Sequence, residues 1–199
     1  MKIRKQQLRE CARLALVRRG LRVEIKPGAG IIPGARLQVF DESDERDVAV
    51  RASLDGEVGF ARHPNGDWMT ILSVDEVVVA TPSAEEPGSA EVLCFDSDVM
   101  KEAFDIALAE RKMEYPNFSH KAPVFVALDG TDGTKSKTVS FGLKVKAKWQ
   151  VLIPLSAVST DSTSSRSTAE GFIDRVKREF AEMNGVDVSK VVIEFKIIT

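Results

Sequence analysis

The apolar residues of the N-terminal segment recur with the period of an α-helix. At spacings of i, i+3, i+4, i+7 and i+8 stand Leu8, Cys11, Ala12, Ala15 and Leu16. Residues at these spacings share one face of a helix. The pattern predicts a helix over residues 3–19. Gly20 is a natural end for it, because glycine readily adopts the left-handed backbone found at helix C-termini.

Most of the chain from residue 21 to residue 155 alternates between apolar and polar positions, which is typical of β-strands with one buried face. The alternation predicts strands at 21–25, 36–40, 47–51, 57–62, 69–72, 91–95, 124–128 and 144–155. Asp55-Gly56 is a turn signal, so the strand at 57–62 is expected to return beside 47–51 as a hairpin. Val77–Ala80 is continuously apolar and indicates a central strand. Trp68 is predicted to anchor the core.

A second helix is expected after the strand at 91–95. Acidic and hydroxyl residues at 96–98 can cap its N-terminus, and its periodic pattern extends to about Glu114. Its apolar residues fall on two sides of the helical wheel, which predicts a helix that is well buried.

The C-terminal part of the sequence differs in composition. Residues 156–168 are rich in serine and threonine and predict a flexible linker, followed by a helix at 168–183 and a strand at 190–198. We therefore expect a main domain (1–155), the linker, and a C-terminal helix–strand extension (169–199). The predicted class is α+β: a mostly antiparallel sheet meander with the N-terminal helix and the buried helix packed on it.

Composition is that of an ordinary globular protein, with 43% hydrophobic and 29% charged residues and a net charge of −2. Neither an 18-residue apolar run nor a signal peptide is visible, which predicts a cytoplasmic protein without a membrane partner. The two cysteines, Cys11 and Cys94, stand among apolar residues and are predicted to be buried reduced thiols.

Positive charge is concentrated at the N-terminus. Residues 1–26 contain nine Lys or Arg against two Glu, a net charge of +7. Three lysines also alternate along the predicted strand at 144–155, next to a tryptophan, as suits a phosphate backbone with base stacking. The predicted nucleic-acid-binding residues are Arg9, Arg13, Lys144, Lys146, Lys148 and Trp149. The alternative is that these lysines protect a sheet edge from aggregation.

A second site hypothesis comes from the order of an early helix, a strand meander and a strand followed by a helix. This order resembles the core of the PD-(D/E)xK nuclease superfamily over roughly residues 3–114. The resemblance implies carboxylates that hold Mg²⁺, and a lysine that stabilises developing charge. Where the family has an acid, one residue and lysine, this chain has Ala49-Val50-Arg51. The candidate catalytic residues are therefore Asp47, Glu57 and Arg51, and Mg²⁺ is the one cofactor that the hypothesis implies.

The segment 50–62, with the strands and helix that follow it, also resembles an uncharacterised bacterial group of proteins, which implies no particular activity. The leading hypothesis is a non-catalytic interaction domain that binds nucleic acid through the basic N-terminal helix and the lysine-rich strand. One alternative is a Mg²⁺-dependent nuclease-like enzyme with a degenerate site. Another is a protein–protein or self-association module, in which the C-terminal helix and strand dock on the main domain or on a second copy.

Overall fold

The computed structural model describes residues 3–26, 32, 34–42, 44–119, 122–129, 138–139 and 142–158. Within these residues the chain forms two α-helices and nine β-strands. They are α1 (Lys5–Arg18), β1 (Arg22–Ile25), β2 (Arg36–Asp41), β3 (Asp44–Ala52), β4 (Glu57–Phe60), β5 (Glu76–Pro82), β6 (Ser89–Asp96), α2 (Ser97–Glu114), β7 (Val124–Ala127), β8 (Thr138–Val139) and β9 (Trp149–Pro154). Short 3-10 helices cover Ile71–Ser73, Leu143–Lys146 and Leu155–Ala157.

The strands form two sheets. The larger has six strands in the order β1-β2-β3-β5-β6-β9, and the smaller has the order β4-β7-β8. In the larger sheet β3 and β5 pair in parallel, and the other neighbours pair antiparallel. The smaller sheet has an antiparallel pair, β4 with β7, and a parallel pair, β7 with β8. The predicted α+β class with a mostly antiparallel sheet is confirmed.

Both faces of the six-stranded sheet are covered. On one face, α1 packs over residues such as Val48 and Val78. On the other face, α2 and the smaller sheet pack over Val77 and Val79. Since successive side chains of a strand point to opposite faces, β5 is buried along almost its whole length. The prediction that Val77–Ala80 forms a central strand is confirmed.

The helix α1 buries the stripe predicted from the sequence. All five of its predicted apolar residues are at most 1% exposed, and Gln7 beside them is 4% exposed. The helix ends at Arg18, and Gly20 follows with a positive φ of 84°, a conformation that glycine adopts at little cost. Because the apolar stripe faces the sheet, most of the arginines of α1 lie on its sides and outer surface.

The helix α2 is buried along one stripe, formed by Met100, Ala103, Phe104 and Ala107. The prediction of a well-buried helix is confirmed, although Ile106 at the edge of the apolar surface is 37% exposed. Phe104 lies at the centre of the contact with the smaller sheet.

Trp68 is 3% exposed and contacts α2 directly. Its ring centroid lies 5.3 Å from that of Phe104, and its Nε1–H donates a hydrogen bond of 2.9 Å to Asp105 Oδ1. Asp105 also accepts a hydrogen bond from Lys101 Nζ at 2.6 Å. The prediction that Trp68 anchors the core is confirmed.

The strand β4 does not return beside β3 as the hairpin prediction required. It lies in the smaller sheet, where Glu57 is opposite Ala127 of β7. Residues 53–75 instead connect two parallel strands, β3 and β5, and parallel neighbours need a crossover of a dozen residues or more. The prediction of a strand at 69–72 is also wrong, since this part of the crossover contains the 3-10 helix Ile71–Ser73.

The strand predicted over 144–155 begins five residues later, at Trp149. Gly142, with a φ of 57°, precedes the 3-10 helix Leu143–Lys146. Leu143 is fully buried whereas Val145 is 89% exposed, so the apolar alternation does not mark one buried strand face. The lysines at 144 and 146 therefore do not lie on a strand.

Cys11 and Cys94 are buried free thiols, as predicted. Burial raises the pKa of Cys11 to about 11 and that of Cys94 to about 12, so both remain protonated at neutral pH.

The chain divides into two units, Met1–Val158 and Ser159–Thr199. The part of the predicted linker after residue 158 and the predicted extension at 169–199 lie outside the described residues and stay predictions. Neither helix of the described part combines the length and the apolarity that a membrane span requires.

Candidate anion-binding site

Arg9 of α1 and Arg36 of β2 both repel Arg51 of β3, and we call Arg9, Arg36 and Arg51 the arginine cluster. Arg36 and Arg51 lie on the same sheet face as Ala49, whereas α1 covers the other face. Arg36 is directly opposite Ala49 in the β2–β3 ladder, so Arg36 and Arg51 are diagonal neighbours on one sheet face. Long side chains at diagonal positions can reach each other. Arg9 of α1 crosses next to Gly34, where an added β-carbon would lie 3.7 Å from Arg9 Cβ.

Two hydroxyl residues of the crossover orient the two arginines of the sheet. Arg51 Nη2 donates a hydrogen bond of 2.9 Å to Thr70 Oγ1. Arg36 donates to the Ser73 carbonyl at 3.0 Å and to Ser73 Oγ at 2.5 Å. Ser73 Oγ in turn donates to the Thr70 carbonyl at 2.9 Å, which ties these two hydroxyl residues together. All these acceptors are neutral, so they position the arginines without cancelling their charge.

The charge of Arg51 is held in an unfavourable environment. Its guanidinium lies 4.6 Å from the centroid of the Phe60 ring, and the residue is half-buried. Burial, followed by repulsion from Arg36 and Arg9, lowers the pKa of Arg51 to about 10. Burial also lowers the pKa of Arg9. Arg51 remains a cation at neutral pH.

Within the described residues, none of the three arginines forms an ion pair with a carboxylate. Arg9 instead donates to Gln6 Oε1 at 3.1 Å, an uncharged partner. Buried or half-buried charges in proteins are usually paired. Arg51 and the two arginines that repel it have neutral acceptors among the described residues, so their charge is complementary to an anion.

Arg51 also lines a cavity of about 300 Å³ at one edge of the cluster, which we call the Arg51 cavity. Lys5, the first residue of α1, lines the same cavity. Further lining residues include Asp55, Glu57 and Phe125, so the cavity has cationic, anionic and aromatic parts.

The structure brings only two of the three predicted catalytic residues together. Arg51 and Glu57 line the Arg51 cavity, but Asp47 does not. Four positions along β3 separate Asp47 from Arg51, about 13 Å of strand. The Asp47 carboxylate is bound by Lys26 Nζ at 2.7 Å. Among the described residues, no group of three or more His, Cys, Asp or Glu is placed to hold a metal ion.

The lysines predicted to bind nucleic acid form ion pairs inside the protein. Lys144 Nζ lies 2.6 Å from Glu91 Oε1, and this hydrogen bond raises the pKa of Lys144. Lys146 Nζ lies 3.5 Å from Glu102 Oε2. These pairs neutralise charge that the sequence pattern assigned to a binding strand.

Lys148 belongs to a charge network around the buried side chain of Glu76. Its Nζ lies 2.7 Å from Glu76 Oε1 and 2.8 Å from Asp96 Oδ1, and these two hydrogen bonds raise the pKa of Lys148. Glu76 Oε1 also accepts a hydrogen bond from Arg46 Nη1 at 2.9 Å. This network joins β3, β5 and β6 and has a structural role.

The other two predicted binding residues are engaged as well. Arg13 forms an ion pair with Glu10 of the same helix, at 3.0 Å. One side of the Trp149 ring is covered by the Arg19 guanidinium, 4.7 Å from the ring centroid, and the ring packs against the core under α1. Of the six predicted residues, Arg9 is the one that belongs to the arginine cluster.

Sequence reasoning missed Arg36, Thr70 and Ser73. The alternation in β2 places Arg36 on the polar face of its strand. Its position as a diagonal neighbour of Arg51 follows only from the register between β2 and β3, which the alternation does not give. No local pattern indicates that Thr70 and Ser73 face these arginines, because 19 and 37 residues separate the bonded partners.

Replacing Arg51 by methionine tests whether its charge is needed for folding. We expect Arg51→Met to leave the free energy of unfolding unchanged or to raise it by up to about 1 kcal/mol, because repulsion and a desolvation cost are removed while the packing on Phe60 is kept. Urea unfolding at low salt measures the change. The control is Arg22→Met, because Arg22 is exposed and paired with Glu24, and we expect it not to raise the free energy of unfolding. A loss above about 1 kcal/mol for Arg51→Met would assign Arg51 a structural role.

Comparison with protein-family models, curated proteins and solved structures found no significant match to this chain.

Proposed function

We propose that this chain is a non-catalytic interaction domain that binds nucleic acid through its phosphates, using the arginine cluster. The observation that supports this most directly is that Arg9, Arg36 and Arg51 have no carboxylate partner among the residues that the structure describes. The planar guanidinium of arginine can donate two parallel hydrogen bonds to phosphate oxygens. A bound anion would also offset the repulsion of Arg51 by Arg36 and Arg9.

The proposal moves the interface away from the lysines at 144–148. An ion-paired lysine must break its contact with the carboxylate before it can bind a phosphate. The cost of breaking that ion pair offsets most of the free energy that the phosphate contact contributes. The arginine cluster has no such competitor among the described residues. Its hydrogen bonds go to hydroxyl, amide and carbonyl oxygens, which leave the positive charge available.

A salt series tests the proposal. Affinity for single-stranded DNA, single-stranded RNA and duplex DNA is measured at rising KCl concentration, for the full chain and for a variant with Arg9, Arg36 and Arg51 all replaced by glutamine. We expect binding that weakens as salt rises. The slope of log Kobs against log salt should be shallower by about 2 to 3 in the triple variant, since three phosphate contacts are lost.

Arg22 offers a matched control. It is opposite Phe40 at the far end of β2 from Arg36, and it is paired with Glu24. The triple variant Arg22→Gln, Arg13→Gln and Arg18→Gln removes the same number of positive charges but leaves the arginine cluster intact. We expect its slope of log Kobs against log salt to be close to that of the unaltered chain. The proposal fails if none of the three nucleic acids binds at low salt, or if both triple variants lose the same slope.

The two alternatives have less support. A Mg²⁺-dependent nuclease needs Asp47 and Glu57 at one metal ion, but Asp47 is bound to Lys26 and lies outside the cavity that contains Glu57. Cleavage of the same probes after addition of Mg²⁺ would favour this alternative over the proposal. The self-association module involves residues 169–199, which the structure does not describe, and light scattering of the full chain tests it.

A further inference from the structure

The Arg51 cavity has a cationic end. Arg51 and Lys5 both line it, and within the described residues neither forms an ion pair with a carboxylate. Lys5 is also the first residue of the 14-residue helix α1, whose dipole favours negative charge at this end. Two cations that line one cavity, one of them at the start of a helix, suit one phosphate group.

A second part of the cavity is aromatic. Phe125 of β7 lies directly opposite Gly59 of β4, so close that an added β-carbon at Gly59 would be 2.6 Å from the ring. The glycine therefore lets the Phe125 ring lie across β4, where it lines the cavity together with Val58 and Pro123. Such a wall is suited to a flat ring, since aromatic stacking accepts any base.

The third part consists of the carboxylates of Asp55 and Glu57. Asp55 Oδ1 accepts hydrogen bonds from Ser53 Oγ at 3.0 Å and from the backbone N–H of Glu57 at 3.3 Å, which holds it at the turn before β4. Carboxylates repel phosphates but accept hydrogen bonds from hydroxyl and amino groups. A chain of phosphates could not pass along this side of the cavity.

We infer that the Arg51 cavity binds a single nucleotide unit that carries a terminal phosphate. The phosphate contacts Arg51 and Lys5, the base packs on Phe125, and sugar hydroxyls or base amino groups face Asp55. A volume of about 300 Å³ corresponds to a small ligand and not to a polymer. The nucleotide unit can be the end of a nucleic-acid strand, and in that case the inference rests on the proposed function. It can also be a free nucleoside monophosphate, which has the same chemistry.

Competition experiments distinguish the two sources. An oligonucleotide of one sequence is prepared with a 5′-phosphate, a 3′-phosphate or no terminal phosphate, and each is titrated into the full chain. Adenosine 5′-monophosphate, adenosine and inorganic phosphate are titrated separately. We expect one phosphorylated end to bind about tenfold more tightly than the unphosphorylated strand, and the monophosphate to compete better than adenosine or phosphate.

A cavity-filling variant separates this site from the arginine cluster. Ala61 lines the cavity and is exposed, so Ala61→Trp blocks it without removing a charge or disturbing the core. Ala84→Trp, at an exposed position in the loop between β5 and β6, is the matched control. We expect Ala61→Trp to lose the preference for the phosphorylated end and to keep the salt-dependent binding of strands, and Ala84→Trp to keep both.

Each outcome supports or overturns the inference. Suppose that the monophosphate binds, that Ala61→Trp removes this binding, and that no strand end is preferred. This result supports the inference with the free nucleotide as the ligand, even if no strand binds and the proposed function fails. Salt-dependent strand binding without any response to a terminal phosphate or to the monophosphate overturns the inference and leaves the proposed function standing. Inorganic phosphate that competes as well as the monophosphate overturns it too, because the ring is then not recognised.

Discussion

Replacing Phe104 by alanine is expected to lower the free energy of unfolding by about 3–5 kcal/mol. Phe104 is fully buried between α2 and the smaller sheet. Its ring meets Phe60 edge to face at a centroid distance of 5.0 Å, and Trp68 at 5.3 Å. The substitution leaves a cavity and removes both aromatic contacts, each worth about 0.5–1.5 kcal/mol beyond burial.

Urea unfolding followed by tryptophan fluorescence measures this loss as a shift of the midpoint at constant slope. Ile106→Ala is the control, because Ile106 lies on the same helix but is 37% exposed, and we expect a loss below about 1 kcal/mol. Phe104→Leu, which keeps most of the volume, is expected to fall between the two. Equal losses for Phe104→Ala and Ile106→Ala would show that α2 is not buried along the stripe described above.

Replacing Glu76 by alanine is expected to cost about 2–3 kcal/mol. The Glu76 side chain is 4% exposed and pairs with Arg46 and Lys148, which are 23% and 38% exposed. Breaking a fully buried ion pair costs about 3–5 kcal/mol, because the remaining charge loses its partner. The loss is smaller here, since Arg46 also pairs with Asp44 and Lys148 also pairs with Asp96.

Asp96 provides the control for this prediction. It pairs with the same lysine at nearly the same distance, 2.8 Å, but its side chain is 49% exposed. An exposed pair contributes at most about 1 kcal/mol and is screened by salt, so Asp96→Asn should lose less than that. Thermal or urea unfolding of both variants at low and high salt measures the difference. If Asp96→Asn costs as much as Glu76→Ala, burial does not determine the strength of this network.

The parts of the fold that depend on local periodicity could be predicted from the sequence. The helix predicted over 3–19 is α1, the helix predicted to reach about Glu114 is α2, and Val77–Ala80 lies in the central strand. Strand partners could not be predicted in this way. β4 satisfies the alternation of a strand, but it pairs with β7 because β3 is occupied by β2 and β5.

The candidate site was predicted only in fragments. Arg9 was assigned to nucleic-acid binding and Arg51 to catalysis, and the structure brings them together with Arg36, which the sequence did not indicate. Lys148 was assigned to binding, but it is bound to Glu76, 72 residues earlier in the chain. Local patterns do not contain such partners.

The sequence by itself determined the positions of α1, α2 and the central strand, and that the positive charge is concentrated near the N-terminus, because periodicity and composition are local properties. Only the tertiary structure decided which of those charges have a carboxylate partner among the described residues. Neutralisation of a cation depends on a carboxylate within about 4 Å, and long-range pairing of strands determines where that carboxylate lies. The ion-paired lysines at 144–148 and the arginine cluster therefore look alike along the chain, and they differ only in the folded protein.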